Sequence, residues 1–411
     1  MVLNYIWVGF FIVGFIVAII QFLFLGDITV FERMIQSTFD MSITAVMNIA
    51  LPLTGVMTLW LGFMNIGEKA GAISVLSRIV GPFFSKLFPE IPKNHPANGQ
   101  LVMNFSANML GLDNAATPMG LKAMQSLQNI NTKKDTASNA QIMFLALNTS
   151  GLTIIPVSVL ALRATAGSTN PTDVFIPLLM ATAVSTLTAI IYVGIRQKLN
   201  LLNKTVLSWI GGTIALLTAM VFFLSGLEKE EIEIFTKITS NLILLGVIIG
   251  FMVGALYKRI NIYDTFIEGA KEGFSITIKI IPFMVGMLVA IGVFRASGAM
   301  DLVLDSIKNI CEFFNMDVRF VDALPTAFMK PLSGSGAKAM MVETMNTFGA
   351  DSFAGRLSSV FQGAADTTFY IIALYFGMVG ITKTRYAVTA GLIADLAGVI
   401  AAITISYILF G

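Results

Sequence analysis

"IPFMVGMLVAIGVFRASGAMD", residues 281–301, lies without a gap on "LPLTGVMTLWLGFMNIGEKAG", residues 51–71. Pro282 falls on Pro52 and Gly292 on Gly62, and the same spacing carries Phe313-Phe314 onto Phe83-Phe84. After a longer insertion in the first half, "PMGLKAM" (118–124) lies on "GSGAKAM" (334–340). Each half then resumes a polar-headed apolar run, "ALNTSGLTIIPVSVLAL" (146–162) and "FQGAADTTFYIIALYFG" (361–377). Matches in one order along the chain indicate duplication, and internal repetition constrains a fold before any local pattern does.

The repeated runs are membrane-like. Of the 411 residues 56% are hydrophobic and only 12% charged, about half the ~25% that a soluble surface carries. The run at 5–25 has the roughly 20 apolar residues that cross a hydrocarbon core, and without a basic start or a cleavage site it reads as a retained helix. A formal net charge of +2 gives no reason to expect a nucleic-acid partner. The single Cys311 forbids an internal disulfide, and neither it nor the lone His95 has metal-ligand spacing, so no metal or other cofactor is expected.

Apolar spans are read near 5–25, 41–64, 98–127, 140–162 and 174–195 in the first half. In the second half they fall near 238–257, 273–294, 320–348, 356–378 and 387–410, and one unmatched span, 206–226, lies between. The segments at 98–127 and 320–348 are rich in Gly, Pro, Ser and Asn, and read as re-entrant hairpins. Each half then crosses an even number of times, and the extra helix inserts the second half upside down. The expectation is an all-α polytopic membrane protein, an inverted repeat of two halves joined by one helix, with boundaries 1–200, 201–230 and 231–411. With an internal N-terminus, loop cations that include Lys69, Lys133, Lys134, Arg196, Lys258, Lys383 and Arg385 then fall inside, as the positive-inside rule asks. Arg295, Lys308, Arg319 and Arg356 fall outside against it.

Four polar clusters interrupt the apolar runs: "NFSANMLGLDNAATPMG" (104–120), "NTSGLT" (148–153), "KPLSGSGAK" (330–338) and "QGAADTTFY" (362–370). A carboxylate at membrane depth costs at least a few kcal/mol, so Asp113, Asp366 and Asp395 need partners or water. Asp395, alone in "LIADLAG", is as readily a structural residue as a functional one. Lys279 is read as snorkelling to the interface. Small and hydroxylated residues also pack membrane helices, which is the competing account of the Ser and Thr positions. If the repeat is inverted, the broken segments approach from opposite sides and the clusters line one cavity.

"SGSGAKA" (333–339) is not a phosphate loop, which needs G-x-x-x-x-G-K-[ST] between a strand and a helix. "SGAK" (335–338) fits the S-x-x-K spacing of a serine–lysine hydrolase, but S-D-N and K-T-G companions are absent. No enzymatic activity is expected.

The sequence resembles the bacterial spore maturation proteins A and B joined in one chain, members of the nucleoside recognition, or Gate, domain family. "NMLGLDNAATPMGLKAMQ" (108–125) carries the A-like resemblance of residues 1–200. "IEGAKEGF" (267–274), "LPTAFMKPLSGSGAKAMM" (324–341) and "QGAADTTFYIIALYFG" (362–377) carry the B-like resemblance of residues 231–411. The resemblance implies a multi-pass protein of the bacterial cytoplasmic membrane. It places Asp113, Asn114 and Thr117 in the first Gate motif, and Ser333, Gly334, Ser335, Gly336 and Lys338 in the second. Asp366, Thr367 and Thr368 follow on the next helix. With Asn108, Asn148, Thr149, Ser150 and Gln362 from the clusters, these are the expected solute-binding residues. The expectation is a transporter or permease of a small polar or anionic solute, coupled to a proton or a sodium ion and able to self-associate as a homo-oligomer. A non-transporting membrane scaffold in spore or envelope maturation is the alternative.

Overall fold

The computed structural model describes residues 2–411, without the side chains at 2–4, 6, 113–115, 225, 229, 233, 279 and 280. The side chains of Asp113, Asn114 and Lys279 therefore lie outside the described residues. The fold is all-helical. Among the described residues seven helices are long and apolar enough to cross a membrane: Trp7–Leu25, Val30–Ala70, Phe175–Arg196, Lys204–Leu224, Glu230–Tyr257, Ile262–Ala296 and Ala387–Phe410.

The two halves run through the same elements. The first comprises α1 (Val2–Ile20), α2 (Val30–Ile43), a π-helical stretch Thr44–Ala50, α3 (Leu51–Ala70), α4 (Ala72–Leu87), α5 (Ala97–Met109), α6 (Asp113–Ile130), α7 (Asn139–Ser150), α8 (Val157–Thr165) and α9 (Phe175–Arg196). After α10 (Lys204–Ser225) the second comprises α11 (Lys229–Tyr257), α12 (Ile262–Ala296), α13 (Ala299–Phe313), α14 (Leu324–Met329), α15 (Gly334–Phe348), α16 (Phe353–Gly363), α17 (Thr368–Met378) and α18 (Ala387–Phe410). Left-handed glycines precede both amphipathic helices, Gly71 before α4 and Gly298 before α13. Serine caps open a later matched pair: Ser138 Oγ accepts from Gln141 N at 3.3 Å before α7, and Ser352 Oγ from Gly355 N at 3.0 Å before α16. In the ungapped register Gly71 would fall on Asp301, so the turn itself sets a local shift between the repeats.

Two apolar runs that read as continuous spans, 140–162 and 356–378, are interrupted helices. The first stops at Gly151, φ 54°, and resumes after Pro156, which has no N–H to give a helix. The second opens between Gly363 and Thr368, where Thr367 is extended. Helices also outrun the apolar spans. The acidic stretch at 228–231 is the capped start of α11, with Glu228 and Glu231 each accepting from the other's backbone N–H. Apolarity marks only the part of a helix that lipid surrounds, and the hydrogen-bond ladder continues past it.

The chain forms two compact units, each drawing on both halves. The first unit comprises Met1–Trp60, Ser158–Pro171 and Ala270–Gln362; the second comprises Leu61–Val157, Thr172–Gly269 and Gly363–Gly411. The first therefore combines α13–α16 with nearly all of α8, and the second combines α4–α7 with α17 and α18. Each interrupted helix leaves one limb in each unit.

In the second unit Phe84, Leu101, Met124, Leu127, Phe144, Val193, Tyr375 and Phe376 are buried in one apolar cluster. Small residues, Ala181, Ser185 and Ala189 on α9 and Ala390, Ala394 and Gly398 on α18, let those two helices pack closely. Ser185 Oγ donates to the Ala394 carbonyl at 2.9 Å. On the loops, Lys383 pairs with Asp135 at 2.8 Å, and the backbone N–H groups of Thr382 and Lys383 donate to the Asp135 carbonyl. Lys383 beside it holds the Asp135 carboxyl below its ordinary pKa.

The first unit has an equivalent but buried clamp. Arg163 on α8 is 0% exposed. Its guanidinium donates to the Ala350 carbonyl at 2.8 Å, to Ser168 Oγ at 3.0 Å and to Asp351 Oδ1 at 3.0 Å. Asp351, one residue before the Ser352 cap, also accepts from Thr169 N at 2.8 Å and Thr169 Oγ1 at 2.7 Å. Burial pushes the Asp351 carboxyl up, but the Ser168 and Thr169 hydrogen bonds and the Arg163 charge outweigh it and hold the pKa at about 2.

Asp351→Asn should lower stability by about 2–3 kcal/mol, because it strips a buried guanidinium of its counter-charge. Lys383→Ala, at an exposed pair, should change the thermal midpoint of the detergent-purified protein far less. The Asp351 carboxyl titrates at about 2 when folded, against roughly 3.9 when unfolded. Its contribution is thus complete above the unfolded value and disappears as pH falls through the folded one. Wild-type stability should fall across that window, and the Asp351→Asn protein should lack this component of the loss.

The interruption between α5 and α6 gives a second test. Gly111 has φ 70° and packs so tightly that an added Cβ would strike the Ile155 carbonyl, whereas Gly167, φ 79°, has open space. Gly167→Ala should cost only the ~1–2 kcal/mol of a left-handed alanine, and Gly111→Ala clearly more. Equal midpoints for the two variants would refute the close packing of these breaks.

Candidate functional site

Three of the four helix interruptions meet in the second unit. Between α5 and α6 the chain turns at Leu110–Leu112, and the Met109 carbonyl it leaves free accepts from Ile154 N at 2.6 Å. Ile154 belongs to the gap between α7 and α8. In the same gap, the Thr149 carbonyl accepts from Asp366 N at 2.7 Å, in the gap before α17. Gly151 packs on that junction, with Asp366 N 3.2 Å from where its Cβ would be. Unwound backbone at membrane depth has to be satisfied by protein or by a wet cavity. Here the gap after α7 supplies a donor to the gap after α5, and the gap before α17 supplies one to the gap after α7.

Side chains continue the pattern. Asn108 Nδ2 donates to Asn148 Oδ1 at 2.9 Å, and Asn148 Nδ2 donates to the Phe144 carbonyl at 2.9 Å. Thr149 and Ser150 turn their hydroxyl protons back onto α7, at Ala146 and Leu147, which leaves oxygen lone pairs for other donors. Asp366 is exposed, and its Oδ1 accepts from Thr367 N at 2.7 Å. Thr368 is fully buried and donates to Asp395 Oδ2 on α18 at 2.7 Å. Gly391, one turn before Asp395, makes room for this pair: a Cβ there would lie 2.6 Å from Thr368 Cγ2. The set is rich in acceptors around an accessible carboxylate, and so suits ligand N–H or O–H groups, a proton or a small cation.

The expected site residues are thereby divided. Asn108, Asn148, Thr149, Ser150, Asp366, Thr367 and Thr368 come together in the second unit. Thr117 is half-buried on α6 in that unit, and Asp113 and Asn114 open the same helix. Ser333, Gly334, Ser335, Gly336 and Lys338 belong to the first unit, as does Gln362. There Ser333 caps α15: its Oγ accepts from Gly336 N at 3.0 Å and lies 3.3 Å from Ser335 Oγ. Gly336 packs on Met329, with Met329 Cε 2.8 Å from where a Cβ would stand. Lys338 is half-buried on the same helix. Gln362 is 3% exposed, and its Oε1 is buried without a hydrogen-bond partner.

Asn104 and Tyr375 join the second-unit cluster without having been singled out as site residues. Asn104 is fully buried and donates to the Ala116 carbonyl at 2.8 Å, and its Oδ1 has no partner. Gly120 has no space for a side chain, because a Cβ would meet the Tyr375 hydroxyl and the Asn104 amide. A buried asparagine in an apolar run was the available signal. For Asp395 the signal was a carboxylate at membrane depth, and its bond to Thr368 ties it to the break.

The family model for nucleoside recognition, named Gate, matches residues 50–166 and 277–382. Spore maturation protein B of Bacillus subtilis (strain 168) is 45% identical over 165 residues, 40% of this chain and 91% of that protein. Spore maturation protein A of the same strain is 40% identical over 198 residues, 47% of this chain and 97% of that protein. With a membrane-type helical fold and the domain present twice, this chain belongs to the nucleoside recognition (Gate) family.

Proposed function

We propose that the protein is a secondary transporter or permease for a small polar or anionic solute, and that it is not an enzyme. One observation carries this reading: the backbone junction between Thr149 and Asp366 joins two interrupted helices of opposite halves and leaves the Asp366 carboxylate exposed. Interrupted helices at matching places in two repeats are how many secondary transporters build a site near the bilayer midplane. In this reading the repeat is inverted, α5–α6 and α14–α15 are re-entrant hairpins, and the protein lies in the bacterial cytoplasmic membrane with its N-terminus inside. Asp366 takes the coupling proton or sodium ion. Gly334 N and Ser335 N, at the start of α15, offer a positive dipole end to an anionic group. Lys338 adds a charge on that helix. Homo-oligomers are compatible with this assignment.

A second reading follows from the relatives' names. Both are called spore maturation proteins, and a non-transporting membrane scaffold in spore or envelope maturation accounts for that without solute movement.

Counterflow in proteoliposomes separates the two. Purified protein, offered a panel of nucleosides, small acids and metal ions, should exchange at least one of them across the bilayer. Asp366→Asn should reduce that exchange by at least about tenfold, the scale of a lost charged partner, while the thermal midpoint stays within a few degrees of wild type. Absence of exchange across the panel, or an Asp366→Asn protein as active as wild type, favours the scaffold.

A further inference from the structure

The first unit contains a cavity of about 590 Å³ that the interrupted helices do not account for. Four elements line it and leave it open on one side: the end of α2, the π-helical stretch Thr44–Ala50, the end of α8 with the residues after it, and the last turns of α15. Its polar wall is Thr44, Asn48, Thr165, Glu343, Asn346 and Thr347, against an apolar wall that includes Met41 and Leu162. A concavity of this size is in the range that holds a small organic molecule. A polar wall of this kind cannot face hydrocarbon cheaply, so the cavity suits water or a solute rather than lipid. Local departures into π-helix recur at functional positions. The departure here is real in the hydrogen-bond ladder, where Leu51 N reaches back to the Val46 carbonyl.

Charge decides what fits. Glu343 is the one ionisable side chain among the described lining residues. It is 7% exposed and already neutralised, with Arg295 Nε 3.1 Å from its Oε1. Arg295 also donates from Nη1 to Thr347 Oγ1 at 2.8 Å, and Thr347 Oγ1 donates in turn to Glu343 at 3.2 Å. This closed triad leaves the wall with no net charge. An incoming anion meets the carboxylate edge, and an incoming cation has to compete with the guanidinium. Meanwhile no hydrogen bond within the described residues engages the side-chain amides of Asn48 and Asn346, and both are exposed. Each amide offers two donors and a carbonyl acceptor.

We propose that this cavity is a binding site for an uncharged solute rich in hydroxyl groups, of the polyol class. Asn48 and Asn346 read the hydroxyls from two sides. The Arg295–Glu343–Thr347 triad keeps the wall neutral and excludes charged analogues of the same size. Binding at this site does not depend on whether Asp366 and the start of α15 serve transport, so failure of the transport reading leaves it standing.

The test is equilibrium binding to the full chain in detergent, with myo-inositol, gluconate and glucosamine as neutral, anionic and cationic probes of similar size. Wild type should bind myo-inositol at least about tenfold more tightly than either charged probe, as a polar site that disfavours an unmatched group requires. Asn48→Leu, at an exposed position where folding is not at risk, should weaken myo-inositol by about tenfold or more. Glu343→Gln leaves Arg295 uncompensated and should move the preference to gluconate. The double variant Arg295→Gln with Glu343→Gln removes both charges and should restore the neutral preference, which guards against a Glu343→Gln protein that simply misfolds. Equal or tighter binding of a charged probe by wild type overturns the proposal. So does no binding of myo-inositol, or an Asn48→Leu protein that binds it as well as wild type does.

Discussion

A peptide group that leaves a helix inside a membrane finds no water to replace its lost partner, and an unsatisfied one costs several kcal/mol. That constraint organises the second unit. The gap after α5 leaves the Met109 carbonyl open, and Ile154 N meets it; the gap after α7 leaves the Thr149 carbonyl open, and Asp366 N meets it. The gaps therefore have to occur together and in contact. Gly111 and Gly151, both left-handed, let the chain come close enough for this to happen.

The same economy explains why polar side chains gather there. Asn108, Asn148 and Thr368 would each be a liability alone in an apolar run. Paired with one another and with Asp395, they become a fixed polar lining. The first unit solves its equivalent problem differently. It buries a full guanidinium, Arg163, and surrounds it with carbonyl, hydroxyl and carboxylate oxygens. That arrangement ties α8 to the turn before α16, and suits a scaffold more than a place where ligands come and go.

Much of this was legible in the sequence. The repeat, the membrane class and the polar clusters follow from Pro52 and Pro282, from the scarcity of charge, and from stretches such as "NTSG" and "GAADTT" standing in apolar runs. The interruption of α7–α8 and of α16–α17 is hidden from hydropathy, which is the same for a broken helix and a continuous one. Gly151 and Pro156 were the local signs. Arg163 and Glu343 escaped for another reason. Each is a single charge in an apolar stretch, and only the partners brought by distant segments, Asp351 and Arg295, show what it does.

The pairing of helix gaps from opposite halves of the chain has a consequence for synthesis. The Thr149 carbonyl waits for Asp366 N, which lies more than half the chain further on. At a translation rate of roughly 5–20 residues per second that wait lasts on the order of ten to forty seconds. Through that interval the first half sits in the bilayer with an open gap, and α7 has no α17 to pack on. A nascent chain in this state is a natural client for whatever holds unfinished helices at the insertion machinery, and fusing both halves in one polypeptide guarantees that the missing limb arrives beside it.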